Sequence, residues 1–378
     1  MQPKQPPLTL GIEEEYLLVD KQTMELVSDP PPTIMEECKR LTTRVSPELL
    51  RSQIEVGTGV CKTIDEARKD LARLRGVVIE AAGREGLSPI AASTHPFGHW
   101  TSQHQTSLER YQDLTAEMQA AARRLVICGM HVHVGVDDDE LRIDLLSQMR
   151  YFVPHLLALS TSSPFWEGLN TGLRSYRLTI FDALPRTGLP QRFDSAAEYQ
   201  RHVDVLVNAG LLEDATKIWW DIRPSARYPT LETRIFDVCT NLEDAVSLAA
   251  LTACLLRMLY RLRVKNQRWR VYNPMLLKEN RWRAMRYGID ESLLDLAKGE
   301  LVPVPDLIEE IQVIVEKDAE ALGCQAEIAH LTDIVTRGTS AHRQVSIYEQ
   351  ALAEGRDEKD ALREVVRWLI DETATGAQ

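Results

Sequence analysis

Four short stretches of this chain alternate apolar and ionisable residues with a period of two, which restricts what it can fold into. In "LTLGIEEEYLLVD", Leu8, Leu10 and Ile12 share a strand face with Tyr16 and Leu18, while Glu13 and Glu15 lie on the other. In "SQIEVGTGV", Glu55 is the acid in an otherwise apolar and small run. In "ICGMHVHVG", His131 and His133 share a face and Val132 and Val134 take the opposite one. In "TLETRIFDV", Glu232 and Arg234 share a face of a strand otherwise suited to a core. A sheet made from such strands buries one face and crowds the other with carboxylate and imidazole.

That crowding has chemical consequences. Two carboxylates on one strand face repel, and burial drives one to take a proton unless a cation sits beside them. An isolated Glu55 in an apolar strand calls for a partner. Histidines two apart give two metal ligands, or one ligand and one donor to an anion. Glu232 beside Arg234 reads either as an ion pair or as a metal-binding carboxylate next to a guanidinium that stabilises a transferring phosphoryl group. Taken singly, each stretch has a plainer account: a solvated glutamate pair, an edge-strand glutamate, satisfied histidines, a local salt bridge. Taken together, three or four carboxylates and an imidazole on one face point to magnesium or manganese.

No P-loop and no G-x-G-x-x-G stretch occurs, so nucleotide phosphates would fall to metal and arginine. Loop arginines beside Gly and Ser suit phosphate or carboxylate capture. They are Arg174 and Arg177 in "GLRSYR", Arg223 and Arg227 in "WDIRPSAR", Arg281, Arg283 and Arg286 in "ENRWRAMRYG", and Arg337 and Arg343 in "RGTSAHRQ". Many of them simply balance the acidic surplus. The formal charge of -12 argues against a nucleic-acid partner.

The six cysteines form no C-x-x-C pair and match neither a zinc site nor a disulfide framework. Reduced, mostly buried thiols suit a cytoplasm. The opening "MQPKQPPLTLG" lacks the apolar core of a signal peptide. The longest uncharged apolar run, 245–256, is too short for a bilayer, so no membrane partner is expected.

Organisation follows from local signals. Thr63 and Glu66 form a capping box for a helix that ends near Gly83 or Gly86. Residues 105–124 read as helix. The stretch "DDDELRIDLLSQMRYFVPHLLALS" reads as a helix kinked at Pro154, and 161–195 as a long loop region. "WWDIRPS" and "TLETRIFDV" read as strands, and helices dominate from about residue 241. Strands separated by helices predict an α+β fold with a mostly antiparallel sheet.

"GIEEEYLLVD", "STHPF", "GMHVHVG", "WDIRPS", "ETRIFD" and "NRWRAMRYG" together resemble the carboxylate–amine ligases called glutamate–cysteine ligase type 2, over residues 8 to 345. The family is similar in fold to glutamine synthetase. The resemblance implies one catalytic domain over 8–372 in which a curved antiparallel sheet lines an active-site funnel and helices pack outside. It implies ATP-dependent amide formation through an acyl phosphate, making gamma-glutamylcysteine, an activity often weak in this branch. Glu13, Glu15, Glu55, His131 and Glu232 would hold Mg2+ or Mn2+. His133 and Arg234 would act on the transferring phosphoryl group, with Arg281 and Arg343 as further phosphate contacts. Thr94, His95, Arg174, Arg177 and Arg223 are candidates for the substrate carboxylate. Resemblance alone suggests a homodimer acting on small molecules. Two other readings of the same sheet stay open: a metal-dependent hydrolase, and a phosphotransferase of the guanidino kinase type.

Overall fold

A computed structural model describes residues 5–107 and 109–378. Its centre is β1 (Leu10–Asp20), whose eleven residues let it pair with three other strands. β3 (Gln53–Gly57) runs along one edge. Along the other edge lie β5 (Met130–Gly135), beside the first half of β1, and β4 (Leu87–Ile90), beside the second. With β2 (Val45–Pro47), β10 (Ile222–Pro224) and β11 (Thr230–Thr233), the sheet has seven strands in the path β10-β11-β5-β1-β3-β2, with β4 joined to β1. All its pairings are antiparallel, as the alternation implied.

The apolar face of the sheet packs on α2 (Ile64–Arg84) and α9 (Leu242–Val264). Thr63 caps α2 by accepting from Glu66 N at 3.2 Å. The reciprocal bond goes one residue further out, from Lys62 N to the Glu66 carboxylate, so the capping box forms only in part. The helix runs through Gly83, and Gly86 turns the chain out at φ +74°. α9 is longer than the 245–256 run expected. By length and composition it could cross a membrane, yet most of it is buried between α2 and the helices that follow.

Elsewhere the local readings need correction. α1 (Pro32–Leu41) lies between β1 and β2, and the 105–124 helix is two, α3 (Glu109–Met118) and α4 (Ala120–Arg123), split where Gln119 takes φ +50°. Pro154 does not kink a helix. It occupies the first turn of α6 (Val153–Ser160), where its missing N–H costs nothing, after α5 (Asp139–Met149) has ended. The 161–195 region holds a hairpin, β6 (Phe165–Trp166) with β7 (Leu169–Asn170), and a short α7 (Arg177–Phe181). It also holds β8 (Thr187–Gly188), parallel to β9 (Trp219–Trp220) across α8 (Ala196–Asn208). After α9 come α10 (Pro274–Tyr287), the hairpin β12 (Ser292–Asp295) and β13 (Glu300–Pro303), and α11 (Val304–Leu322). α12 (Gln325–Arg337), α13 (Ser340–Ala353) and α14 (Glu358–Ala374) complete the helical part. The six cysteines are free and buried.

One buried ion pair joins these layers. Glu14 points into the core between Glu13 and Glu15, and both its oxygens meet Arg75 of α2, at 2.7 and 2.8 Å. The Tyr16 hydroxyl donates to the same carboxylate at 2.5 Å. Arg75 also donates to the carbonyls of Cys239 and Thr240, both at 2.8 Å. Neither charged side chain is exposed. Removing one member of such a pair leaves an uncompensated charge, so Arg75→Met should lower the unfolding free energy by about 3–5 kcal/mol in a urea titration. A loss under about 1 kcal/mol would show the pair to be dispensable.

Candidate active site

Strand register gathers the ionisable residues. Glu13 stands opposite His131, Glu15 opposite Glu55, and Glu232 between His133 and Arg223. These side chains face one cavity of about 400 Å³, together with Arg177 and Arg234. Beyond Glu15 the cavity wall turns apolar, with Leu49, Leu125, Ile127, Phe181 and Leu184.

Each group is held by a specific partner. Glu13 Oε2 lies 3.0 Å from His131 Nδ1, and its Oε1 lies 3.6 Å from His133 Nε2. His133 Nδ1 meets Thr230 Oγ1 at 2.9 Å. Glu232 accepts two bonds from Arg223, at 2.9 and 3.0 Å, and a third from Arg234. Glu15 accepts from Gly129 N at 2.7 Å, and Glu55 from Ser46 Oγ at 2.9 Å.

The acids divide into two electrostatic kinds. Burial by itself would raise the Glu13 carboxyl, but hydrogen bonds from His131 and His133 outweigh it and keep the group ionised. Glu232 is likewise held low, because the charges of Arg234 and Arg223 overcome burial. For Glu15 the compensation falls short: burial and the Glu48 charge outweigh Arg177 and the Gly129 N–H and push it up to about 7. Burial, Glu48, Glu13 and Glu15 push Glu55 well above the carboxylate range. Burial and the Arg234 charge push His131 down to about 4, leaving a neutral imidazole with a lone pair to offer.

Two groups of three ligand atoms lie mutually within 4.8 Å: Glu13, His131 and Glu232, and Glu15, Glu55 and His131. Two like charges at that separation repel by roughly 3–4 kcal/mol at an effective dielectric of about 20. A divalent cation converts that repulsion into attraction. Carboxylate oxygens with a neutral imidazole are a donor set for Mg2+ or Mn2+, so the residues fit the ions expected.

The five metal-ligand candidates thus converge, and His133, Arg177, Arg223 and Arg234 join them. The other candidates lie elsewhere. Thr94 donates to Phe165 O at 2.8 Å and is buried. His95 folds a turn by accepting from the N–H groups of Phe97 and Gly98, and its Nε2 meets Met24 O. Arg174 pairs with Asp290 at 2.6 Å. Arg281 is consumed by Asp182 and Asp221 within the fold. Arg343 is exposed on α13. None of these five lines the cavity, because each is engaged or directed elsewhere by its own element.

Other lining residues escaped the sequence reading. Glu48 contributes a carboxylate beside Glu15 and Glu55, and Gln53 bonds to Ile127 O at 2.6 Å. Tyr228 lies on the β10–β11 turn, edge-on to His133 at 6.0 Å, beside Arg227, which the sequence had singled out among the loop arginines. Glu48 lies in "SPELL", outside any alternating strand, and nothing in its spacing marks it.

The sequence profile of the glutamate–cysteine ligase family 2 matches residues 9–367. Family, fold and site together define a carbon–nitrogen ligase of the carboxylate–amine class. A Rhodospirillum rubrum protein provisionally named glutamate–cysteine ligase 2 is 57% identical over 98% of this chain and 96% of its own length. A Jannaschia sp. protein of the same name is 54% identical, over 96% of each. The chain belongs to the glutamate–cysteine ligase family 2. A solved glutamate–cysteine ligase from Francisella tularensis, in complex with AMP, shares the fold at a TM-score of 0.71. It is 14% identical, and the match covers 99% of this chain and 90% of that one. A bifunctional glutathione synthetase from Pasteurella multocida also reaches 0.71, at 16% identity, over 97% of this chain and 52% of that one.

The raised carboxyls make cation binding pH-dependent. Glu15, at about 7, must lose its proton before it can ligate, and so must Glu55. Mn2+ binding should therefore tighten as pH rises from 5 through 7, and release protons at pH 6 in weakly buffered calorimetry. Affinity that stays flat between pH 5 and 8 would sink the assignment of Glu15 and Glu55.

Proposed function

We propose that this protein joins a carboxylate to an amine at the expense of ATP, through an acyl phosphate, with glutamate and cysteine as the substrates. The observation that carries the reading is the meeting, in one cavity, of two acid–imidazole groups with Arg223 and Arg234. The family assignment and the names of the relatives support the substrates.

Cations bound to the two acid groups would neutralise triphosphate charge. The remaining work falls to protein groups. Glu232 clamps Arg223 with two bonds and holds Arg234 by a third, so both guanidiniums stand fixed before phosphate arrives. The substrate carboxylate attacks the γ-phosphorus, and ADP leaves. Arg234 and His133 face the phosphoryl group in transit. The amine then attacks the acyl carbon, phosphate departs, and the nitrogen loses a proton.

Arg177 suits a substrate carboxylate. It is buried, and its Nε has no partner among the described residues. Its side-chain hydrogen bonds among the described residues are long, 3.3 and 3.4 Å, to the carbonyls of Arg234 and Ile235. It lies flat against Gly129, where a Cβ would stand 2.4 Å from its Nη2. Burial depresses its pKa, against the charges of Asp237 and Glu15. The net charge and the buried free thiols are in keeping with a cytoplasmic enzyme of small substrates.

The test is ADP release with glutamate, cysteine and Mg2+ or Mn2+, with mass spectrometry of the product. An amide is expected; a phosphoguanidine, or hydrolysis alone, would overturn the reading. Glu13→Gln and Glu232→Gln should each lower turnover about 100-fold or more while the circular dichroism spectrum is unchanged. Arg177→Gln should raise KM for one amino-acid substrate about tenfold or more and leave the KM for ATP unchanged.

A further inference from the structure

A buried network behind the cavity wall holds Arg177 in place. The Arg177 backbone N–H, at the first residue of α7, donates to Ser163 Oγ at 3.0 Å. The Ser163 hydroxyl in turn donates to Asp237 Oδ2 at 2.7 Å. Ser162 N donates to the same oxygen at 2.9 Å, and Ser175 Oγ donates to Asp237 Oδ1 at 2.9 Å. Ser162, Ser163, Ser175 and Asp237 are all buried, and none of them lines the cavity. Three stretches far apart in the chain, "TSSPFW", "GLRSYR" and "TLETRIFDV", thus meet at one carboxylate.

That carboxylate is engaged by serines rather than by the arginine. A buried charge is costly unless hydrogen bonds replace water, and three donors do so here. No hydrogen bond or ion pair joins Asp237 to Arg177 among the described residues, so the Asp237 charge acts on Arg177 only through space. Two other buried arginines show the contrast. Arg75 is spent on both oxygens of Glu14, and Arg281 on Asp182 and Asp221. At Arg177 the serine hydroxyl takes the acid instead, and the guanidinium stays clear of any carboxylate among the described residues.

Asp237 also fixes the surface on which the guanidinium lies. It pairs through an isolated bridge with Gly129, the residue against which Arg177 packs. Gly129 N donates to Glu15 at 2.7 Å, which sets the arginine beside the cation-binding acids. On its other side the guanidinium stands 5.4 Å from the centre of the Phe181 ring, one turn further along α7.

We propose that Ser163 and Asp237 are positioning residues, which hold Arg177 at the cavity wall with its guanidinium uncommitted so that it takes the carboxylate of an amino-acid substrate. The proposal rests on the role given to Arg177 under the proposed function. A donor fixed before its ligand arrives loses little freedom on binding, and an internal acid on the same guanidinium would compete with the substrate.

Calorimetry on the full chain tests this by comparing each amino acid with its decarboxylated analogue: glutamate with 4-aminobutyrate, and cysteine with cysteamine. The wild-type protein should bind at least one amino acid about tenfold or more tightly than its analogue. Ser163→Ala should cut that preference about fivefold, weakening the amino acid while the analogue binds as before. Ser175→Ala should shift the preference in the same direction, and it decides the matter if Ser163→Ala folds poorly. A loss shared equally by amino acid and analogue would make the network merely structural and overturn the proposal. So would an undiminished preference in both variants, or no preference in the wild type. ADP release by the wild-type protein is scored separately: its absence would sink the ligase reading, while a carboxylate preference lost in the variants would still uphold the positioning role.

Discussion

Like-charge repulsion on one face of a sheet is the constraint around which this molecule is arranged. Glu13, Glu15, Glu55 and Glu232 face one cavity, and Glu48 adds its charge from the loop before β3. A fold that gathers them must hold strands together against that force. It does so from behind, where Glu14, the one acid of the run that points inward, is locked by Arg75 and Tyr16. Arg75 ties α2, β1 and the carbonyls of Cys239 and Thr240 into one unit. The strand bearing two of the cavity acids is therefore anchored by a fully satisfied polar network on its other side.

Within the cavity the protein resolves the repulsion at one end and leaves it standing at the other. Glu232 is held by two guanidiniums, and Glu13 by His131 at 3.0 Å with His133 3.6 Å away. Glu15 and Glu55 receive only a backbone N–H and a hydroxyl, too little to offset burial. Glu15 and Glu55 therefore gain most from a cation, while at Glu13 and Glu232 a cation would share carboxylates with the partners they already hold. The same logic applies with opposite sign at Arg177, a buried cation the fold leaves short of acceptors. The uncompensated charges define what the cavity is built to receive.

Much of this was legible from period two alone. The alternation in 8–18 and 130–135 placed the acids and imidazoles on one face correctly, because side-chain direction in a strand follows sequence parity. The same parity puts Glu14 in the core, yet its partner Arg75 lies 61 residues away on a helix, and no local signal announces it. The loop arginines were not separable by sequence. Arg174, Arg177, Arg223 and Arg281 occur in similar surroundings, but Arg281 is consumed by two aspartates while Arg177 faces the cavity. Local composition says that an arginine will seek an anion; only the fold says whether an internal one reaches it first.

The sequence by itself determined the strands that carry the site, the polar parity of their faces, the antiparallel class, and the residue types able to bind cations and phosphate. These are short-range properties, set by backbone geometry and side-chain chemistry within a few residues. Tertiary structure alone decided the register that sets Glu15 against Glu55 and Glu232 beside His133, the arrival of Glu48, and which guanidiniums remain free. Those depend on contacts between segments tens to hundreds of residues apart, whose distances no local pattern encodes.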